Sequence, residues 1–537
     1  MERQTFTWGS SGNNIRKTER WTERLWVLGL LLAALLLFCL DLGSLPLSDP
    51  GEGMVALVAH KIISSPLEFW QWFYPMFDGK PFLESPPLLY VLIAGGYKIA
   101  GVNEWTTRLP GAVLSALSVP ILYGIGREIF PSRLSAIFSS LVYLTLVPVA
   151  CQGRLAVAEG MALCFFMLMI WCVLRSRRDL RWSLGVGLAL SLITLSKGLV
   201  LGSLTGAIAF LFLSWDTPRL LSSYYWWLGL FIGSVPSLAW YAVAVLQYHL
   251  NFIPINLFNQ SLQPLWNAII TRSRHPWYYF IELLKFATPW LIFFPYGLRL
   301  AWENRNWGWA KLVLVWTSVC AVAIVAMFTN SGYILPLYPA LSLASGALLT
   351  EVWYLPSRKS YPAVWKIGLA LLALGTIIPS FYFGIFDSAN RSLSIIFACV
   401  ALTMAMAAIL SSRRDLQFIL ILFWGMYISL LLFMTSPYWM PKLAEAYPVK
   451  PLAELIRRRT PDHQVIYASL DAARPSLNFY SGRQVIPVSN PELKQKWDSA
   501  QAIYLLLDAD TEAQLSLKSS RAIERLSRWA LITKETN

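Results

Sequence analysis

Fourteen apolar runs leave this chain little choice of architecture: 25–41, 88–100, 109–126, 134–150, 160–174, 183–197, 199–215, 225–246, 278–298, 310–328, 333–350, 363–383, 393–411 and 417–435. Most are 17 to 22 residues long. With flanking turns, helices of that length cross a hydrocarbon core of about 30 Å at about 1.5 Å per residue. Composition agrees, since 56% of the 537 residues are hydrophobic and only 14% are charged. A soluble chain of this length needs no such apolar excess, so the class is polytopic α-helical membrane protein. The net charge of +14 would suggest nucleic acid in a soluble protein. Here the basic residues sit in short connectors between apolar runs, where they orient a membrane protein, and no nucleic-acid partner is expected.

The connectors set the parity. REIFPSR at 127–133, RSRRDLR at 175–181, RLAWENRNWGWAK at 299–311, Arg358-Lys359 and Arg413-Arg414 all face the cytoplasm, with the N-terminal tail, if one run is not a crossing. The weakest run is 88–100, which has 13 residues, follows Pro86-Pro87 and contains Gly95-Gly96. Read as an interfacial helix, it leaves about 13 transmembrane helices. The expected organisation is a cytoplasmic tail at 1–24, a transmembrane domain at 25–435 and an external domain at 436–537. Segment 41–108 then forms a large first external loop with interfacial helices. In the C-terminal part, QVIYAS (464–469), QVIPV (484–488), AIYLLL (502–507) and WALITK (529–534) read as strands of a small α/β domain. The six cysteines lie in or beside apolar runs without metal spacing, so they read as small hydrophobes. The cytoplasmic connectors leave no room for a nucleotide-binding domain.

Chemistry-bearing residues therefore collect on the external side. In SDPGEG, Asp49 and Glu52 stand where a helix begins, as cap or as base. Glu159 follows Arg154 across LAVA at another helix start, where it either favours the helix dipole or serves a site. Lys197 is a lone cation in a hairpin turn, either snorkelling or holding a phosphate. Arg272, Arg274 and His275 precede Trp277, Tyr278 and Tyr279, which reads as an interfacial girdle or as a phosphate-binding patch.

Six stretches, DPGEGMVALVAHKI, KPFLESPPLLYVL, GRLAVAEGMALCFF, TLSKGL, RHPWYYF and GYILPLYPALSLASG, resemble in content and order the membrane glycosyltransferases of family 39. These are the protein O-mannosyltransferase and aminoarabinose transferase-like enzymes of the GT-C superfamily, and this chain resembles a diverged bacterial member. The resemblance implies transfer of a sugar from a polyprenyl-phosphate donor to a lipid or protein acceptor at the outer face of the inner membrane, by a monomer. It implies catalytic roles for Glu52, Asp49 and Glu159, and substrate binding by Arg154, Lys197, Arg272, Arg274, Tyr333 and Lys80. A divalent metal ion, with Glu84 and His275 as ligands, is a further expectation. Gly51 stands where the family's motif has its Asp, and Glu159 stands where a later motif has Asp. Those departures keep a non-catalytic member open as an alternative. A transporter or flippase of lipid-linked saccharide is the rival from another class, although no inverted repeat is visible.

Overall fold

A computed structural model describes residues 11–64, 72–77, 80–248, 277–327, 331–354, 361–387, 390–440, 448–462, 464–470, 472–499, 503–515, 517 and 520–534. Among these, nine helices are long and apolar enough to cross a membrane, and ten if one bent pair counts as a span. The bent pair is Arg133–Leu144 with Val147–Arg154, which meet at 62°. The run 134–150 is therefore not one straight crossing: Thr145 and Leu146 leave the helix, and Pro148 opens the next one. The run 278–298 is also divided, into Trp277–Phe286 and Phe294–Glu303, with a single turn of 3-10 helix between them. The sequence-based count of 13 thus becomes nine or ten long spans plus shorter apolar helices, of which Trp182–Lys197 is one. Ala363–Ile385 and Arg391–Ser412 pack on each other and turn large apolar side chains such as Leu371, Ile378 and Leu402 outward, as lipid-facing helices do.

The described residues of the first loop form a cap. Gly51–Ser64 is a short helix buried on almost every side, through Glu52, Val55, Val58, Ala59 and Ile62 among others. It packs on Leu88–Ala100, the 13-residue helix that the sequence marked as too short to cross. A two-residue hairpin joins them, β1 (Met76–Phe77) paired with β2 (Lys80–Pro81). Glu104–Ile129 then begins with a capping box in which the Asn103 side chain accepts from the Thr106 N–H and the Thr106 side chain accepts from the Asn103 N–H. That fixed start sets the rotation of the helix, and Arg108, one turn in, is fully buried against the loop.

After the last span the chain builds a five-stranded sheet in the order β4-β3-β5-β7-β6. Its strands are β3 (Val465–Ala468), β4 (Gln484–Pro487), β5 (Tyr504–Asp508), β6 (Ser520–Leu526) and β7 (Trp529–Lys534). β3 runs parallel to β4 and β5, whereas β5–β7 and β7–β6 are antiparallel. Alternation divides the core between two faces. Leu452, Ile456 and Leu477 cover one face, on Ile466 and Leu506. Leu493, Trp497 and Leu515 cover the other, on Leu505 and Leu507. This is the small α/β domain expected from the sequence, with one strand more.

Candidate active site

Glu52 is the centre of the first loop and has no exposed surface. Arg108 grips it with two parallel bonds, Nε to Oε1 and Nη2 to Oε2, each 2.8 Å. The backbone N–H of Ala156 donates to Oε1 and that of Ser48 to Oε2, each at 2.9 Å. Ala156 is free to donate because Leu155 to Val157 run extended between two helices. Burial alone pushes the Glu52 carboxyl upward, but the Arg108 charge and these donors outweigh it and hold it below the ordinary carboxylate value. Arg108 spends its remaining donors on the carbonyls of Leu42, Leu45 and Pro46. One buried ion pair therefore ties the end of the first span, the loop helix, the second span and the junction before Glu159 into one body.

Asp49 faces the C-terminal domain. Its Oδ1 accepts the Ser476 N–H at 2.8 Å and its Oδ2 takes the Ser476 hydroxyl, at the start of the Pro475–Ser481 helix. Burial raises its carboxyl above the usual range, against the bonds from Ser476 and the charge of Arg474. Beside it Tyr480 Oη accepts the Leu47 N–H at 2.9 Å and donates to Glu104 at 3.0 Å, and Lys450 also pairs with Glu104. Gly53 permits the approach, because a Cβ there would lie 2.5 Å from the Ser476 nitrogen. Ser476, Tyr480, Glu104 and Arg108 carried no recognisable motif. Arg108 had one signal, a lone Arg at the edge of an apolar run, which needs a buried carboxylate.

Glu159 opens the Ala158–Ser176 helix and pairs with Lys197, the last residue of Trp182–Lys197, at 2.5 Å. Lys197 is 36% exposed and Glu159 21%, so this pair is open to a ligand, as Glu52 is not. Arg154 does not join them. It is fully buried, donates to the carbonyls of Leu37 and Asp41 at the end of the first span, and lies 4.8 Å over the buried Trp439 ring. Lys80 lies in β2, Tyr333 in the 3-10 helix Ser331–Leu337, and Glu84 is exposed. Arg272, Arg274 and His275 lie outside the described residues. Among the described residues no group of three His, Cys, Asp or Glu side chains converges to hold a metal ion.

Residues 84–241 match the family described as dolichyl-phosphate-mannose-protein mannosyltransferase. Over 341 residues the chain is 26% identical to undecaprenyl phosphate-alpha-4-amino-4-deoxy-L-arabinose arabinosyl transferase 1 of Pseudomonas fluorescens, covering 61% of this chain and 60% of that protein. A second arabinosyl transferase of that species is 25% identical over 409 residues, covering 73% and 72%. The first match thus spans less than two thirds of the relative's own length. The crystal structure of ArnT from Cupriavidus metallidurans bound to undecaprenyl phosphate superimposes with a TM-score of 0.76 over 95% of this chain and 98% of that one, at 18% identity. The apo structure of the same protein gives 0.71. The whole architecture is shared, from the N-terminal span through the C-terminal sheet.

Proposed function

We propose that the chain is a diverged bacterial member of the GT-C superfamily, related to the arabinosyl and mannosyl transferases it resembles, and that it moves a glycosyl group from a polyprenyl-phosphate donor to a lipid or protein acceptor. Transfer takes place at the outer face of the inner membrane. In this reading the chain crosses 13 times, through the long spans, the bent pair, the shorter apolar helices Trp182–Lys197 and Gly308–Ile324, and the divided 277–303 stretch. Leu88–Ala100 stays interfacial, the N-terminus is cytoplasmic and the sheet domain is external.

The accessible Glu159–Lys197 pair carries the reaction class. Transfer forms a bond from the acceptor oxygen to the anomeric carbon and breaks the bond from that carbon to the phosphate. The acceptor proton has to go to a base, and charge grows on the departing phosphate. A carboxylate and an ammonium 2.5 Å apart at a helix start serve both needs when the phosphate draws Lys197 away and leaves Glu159 free to accept a proton. Glu52 is a positioning residue here, with its carboxylate fully engaged, and Asp49 holds the C-terminal domain over the loop. Arg272 and Arg274 remain proposed phosphate contacts.

The test uses the purified full chain in lipid nanodiscs with radiolabelled polyprenyl-phosphate sugars and a membrane lipid extract as acceptor. Sugar is expected to move to the acceptor. Glu159→Gln is expected to lower kcat by about 10²- to 10⁴-fold with donor KM little changed. Lys197→Ala is expected to raise donor KM as well. Label that stays on every donor, or transfer unaffected by Glu159→Gln, overturns the assignment.

A further inference from the structure

The C-terminal sheet holds a cleft remote from the Glu159–Lys197 pair in sequence and built differently. From β3 the chain passes to β4 through Pro475–Ser481 on one face, then to β5 through Asn490–Ser499 on the other. The carboxyl ends of β3 and β5 thus form a topological switch point, where open parallel sheets take ligands. The ladder runs on past the strands here, with Ser469 N–H donating to the Leu506 carbonyl and Val488 N–H to the Ala468 carbonyl, each at 3.0 Å. Beyond these bonds opens a cavity of about 610 Å³, lined by Ser469, Arg474, Asn490, Asp508, Thr511 and Trp529 among others. That volume falls within the range of small-molecule sites, about 300–1,000 Å³.

The lining points to one ligand chemistry. Asp508 is oriented by Ser469, whose hydroxyl donates to Oδ1 at 2.8 Å while accepting the Asp508 N–H at 2.9 Å. Thr511, in the first turn of the next helix, also donates to this carboxylate through its side chain and backbone, and an ionised carboxylate only accepts, so a ligand that shares it brings hydroxyl or amine donors. Trp529 stands directly opposite Asp508 in the β5–β7 register, so the two side chains leave the same face of the sheet. An aromatic ring beside a carboxylate and an amide is what a sugar ring meets well, its C–H face on the indole and its hydroxyls on the polar groups.

Arg474 also lines the cleft, but its charge acts on Asp49, and the backbone geometry disfavours a phosphate ligand. In sheets of this topology an anion sits at the first turn after the central strand, on the N–H groups that open the next helix. Here that turn, Ser469 to Pro475, contains no glycine. The Ser476 N–H beyond it is already taken by Asp49 from the first loop. The protein's own carboxylate fills the anion position.

We propose that this cleft binds an uncharged saccharide, the glycan part of the acceptor, through Asp508, Asn490 and Trp529. Its role in transfer rests on the reading above, whereas its test measures binding alone, so the two fail separately.

Saturation-transfer NMR on the full chain in nanodiscs, without donor, reads binding of mannobiose and chitobiose, with ADP and inorganic phosphate as competing anions. At least one disaccharide is expected to receive saturation, and Asp508→Asn is expected to weaken its binding about tenfold. Glu492→Gln, an exposed change on the same rim, is expected to weaken it in the same direction and carries the test if Asp508→Asn fails to fold. Glu159→Gln is expected to leave it intact. No disaccharide bound, binding equal to wild type in both cleft variants, loss of binding in Glu159→Gln, or displacement by ADP or phosphate would each overturn the proposal. Binding without any transfer activity would sustain it and overturn the transferase reading instead.

Discussion

At the scale of single residues, two carboxylates three positions apart meet opposite fates, and the physics of each predicts its behaviour. Glu52 lies between a buried bidentate guanidinium, the buried Ala156 N–H and the half-buried Ser48 N–H. Removing one partner of such a pair costs about 3–5 kcal/mol, because the other charge stays buried without compensation. Arg108→Ala is expected to lower the melting temperature of the purified protein more than Glu52→Gln, in which the amide oxygen still accepts from Arg108 and the carbonyls of Leu42, Leu45 and Pro46 keep its other donors. The pH sign follows from the depressed Glu52 carboxyl: its contribution is complete above the ordinary glutamate value of 4.5 and is lost as pH falls through the lower folded-state value. Melting scans from pH 7 to 3 are expected to fall steeply only at the acid end, and less steeply in Glu52→Gln. Asp49 has the opposite sign. Burial raises its carboxyl, so its ionised form costs stability, which is recovered as pH falls through the raised value. Asp49→Asn is accordingly expected to keep the C-terminal domain docked, since an amide oxygen still accepts the Ser476 N–H, whereas Asp49→Ala releases it. Hydrogen exchange across 475–481 distinguishes the two, and equal protection in Asp49→Ala and wild type would refute the clasp.

At the scale of elements, the loop helix works because glycine lets another helix come close. A Cβ on Gly53 would sit 2.5 Å from the Ser476 nitrogen and 2.9 Å from its Cα, both backbone atoms that cannot swing aside. Gly53→Ala is thus expected to undock the Pro475–Ser481 helix while leaving the Glu52–Arg108 pair formed, seen as faster exchange at 475–481 with slow exchange kept at 51–64. Some elements were legible in the sequence for the same kind of reason. The length of Leu88–Ala100, the Pro-Pro before it and the Gly-Gly within it mark it as too short to span, and it packs against the loop helix. Strands β3, β4, β5 and β7 announced themselves as apolar, β-branched runs. β6 did not, because SRAIERL carries charge along an edge strand, where charge guards against further pairing and blurs the period of two. The bend at Thr145–Leu146 was equally hidden, since hydropathy is blind to the direction of a helix. The pairing of Glu52 with Arg108, 56 residues apart, needed the fold itself.

At the scale of the whole molecule, charge separates to two ends of the apolar bundle. One end holds a lattice of ion pairs among the basic connectors: Glu23 with Arg127 and Arg133, Glu128 with Arg175 and Arg178, and Asp216 with Arg177 and Lys311. These pairs join the first span to connectors 127–133 and 175–181, and the latter to the start of Gly308–Met327, the grouping that the positive-inside pattern requires of loops sharing one compartment. The other end holds Glu52, the Glu159–Lys197 pair and, through Asp49, Glu104 and Tyr480, the sheet domain. In the proposed transfer the donor meets the Glu159–Lys197 pair from the compartment that the sheet domain occupies, so orientation decides which leaflet is used. Arg178, whose side chain is 74% exposed, and Asp462, at 83%, report the two ends. In a background whose native cysteines are replaced by serine, a membrane-impermeant maleimide added to intact bacterial cells with permeabilised outer membranes is expected to label Asp462→Cys at once. Arg178→Cys should label only after the inner membrane is opened. The converse pattern would turn the protein over in the bilayer and put the Glu159–Lys197 pair in the cytoplasm. Labelling of both sites in intact cells would deny that the ion-pair lattice marks a single cytoplasmic face.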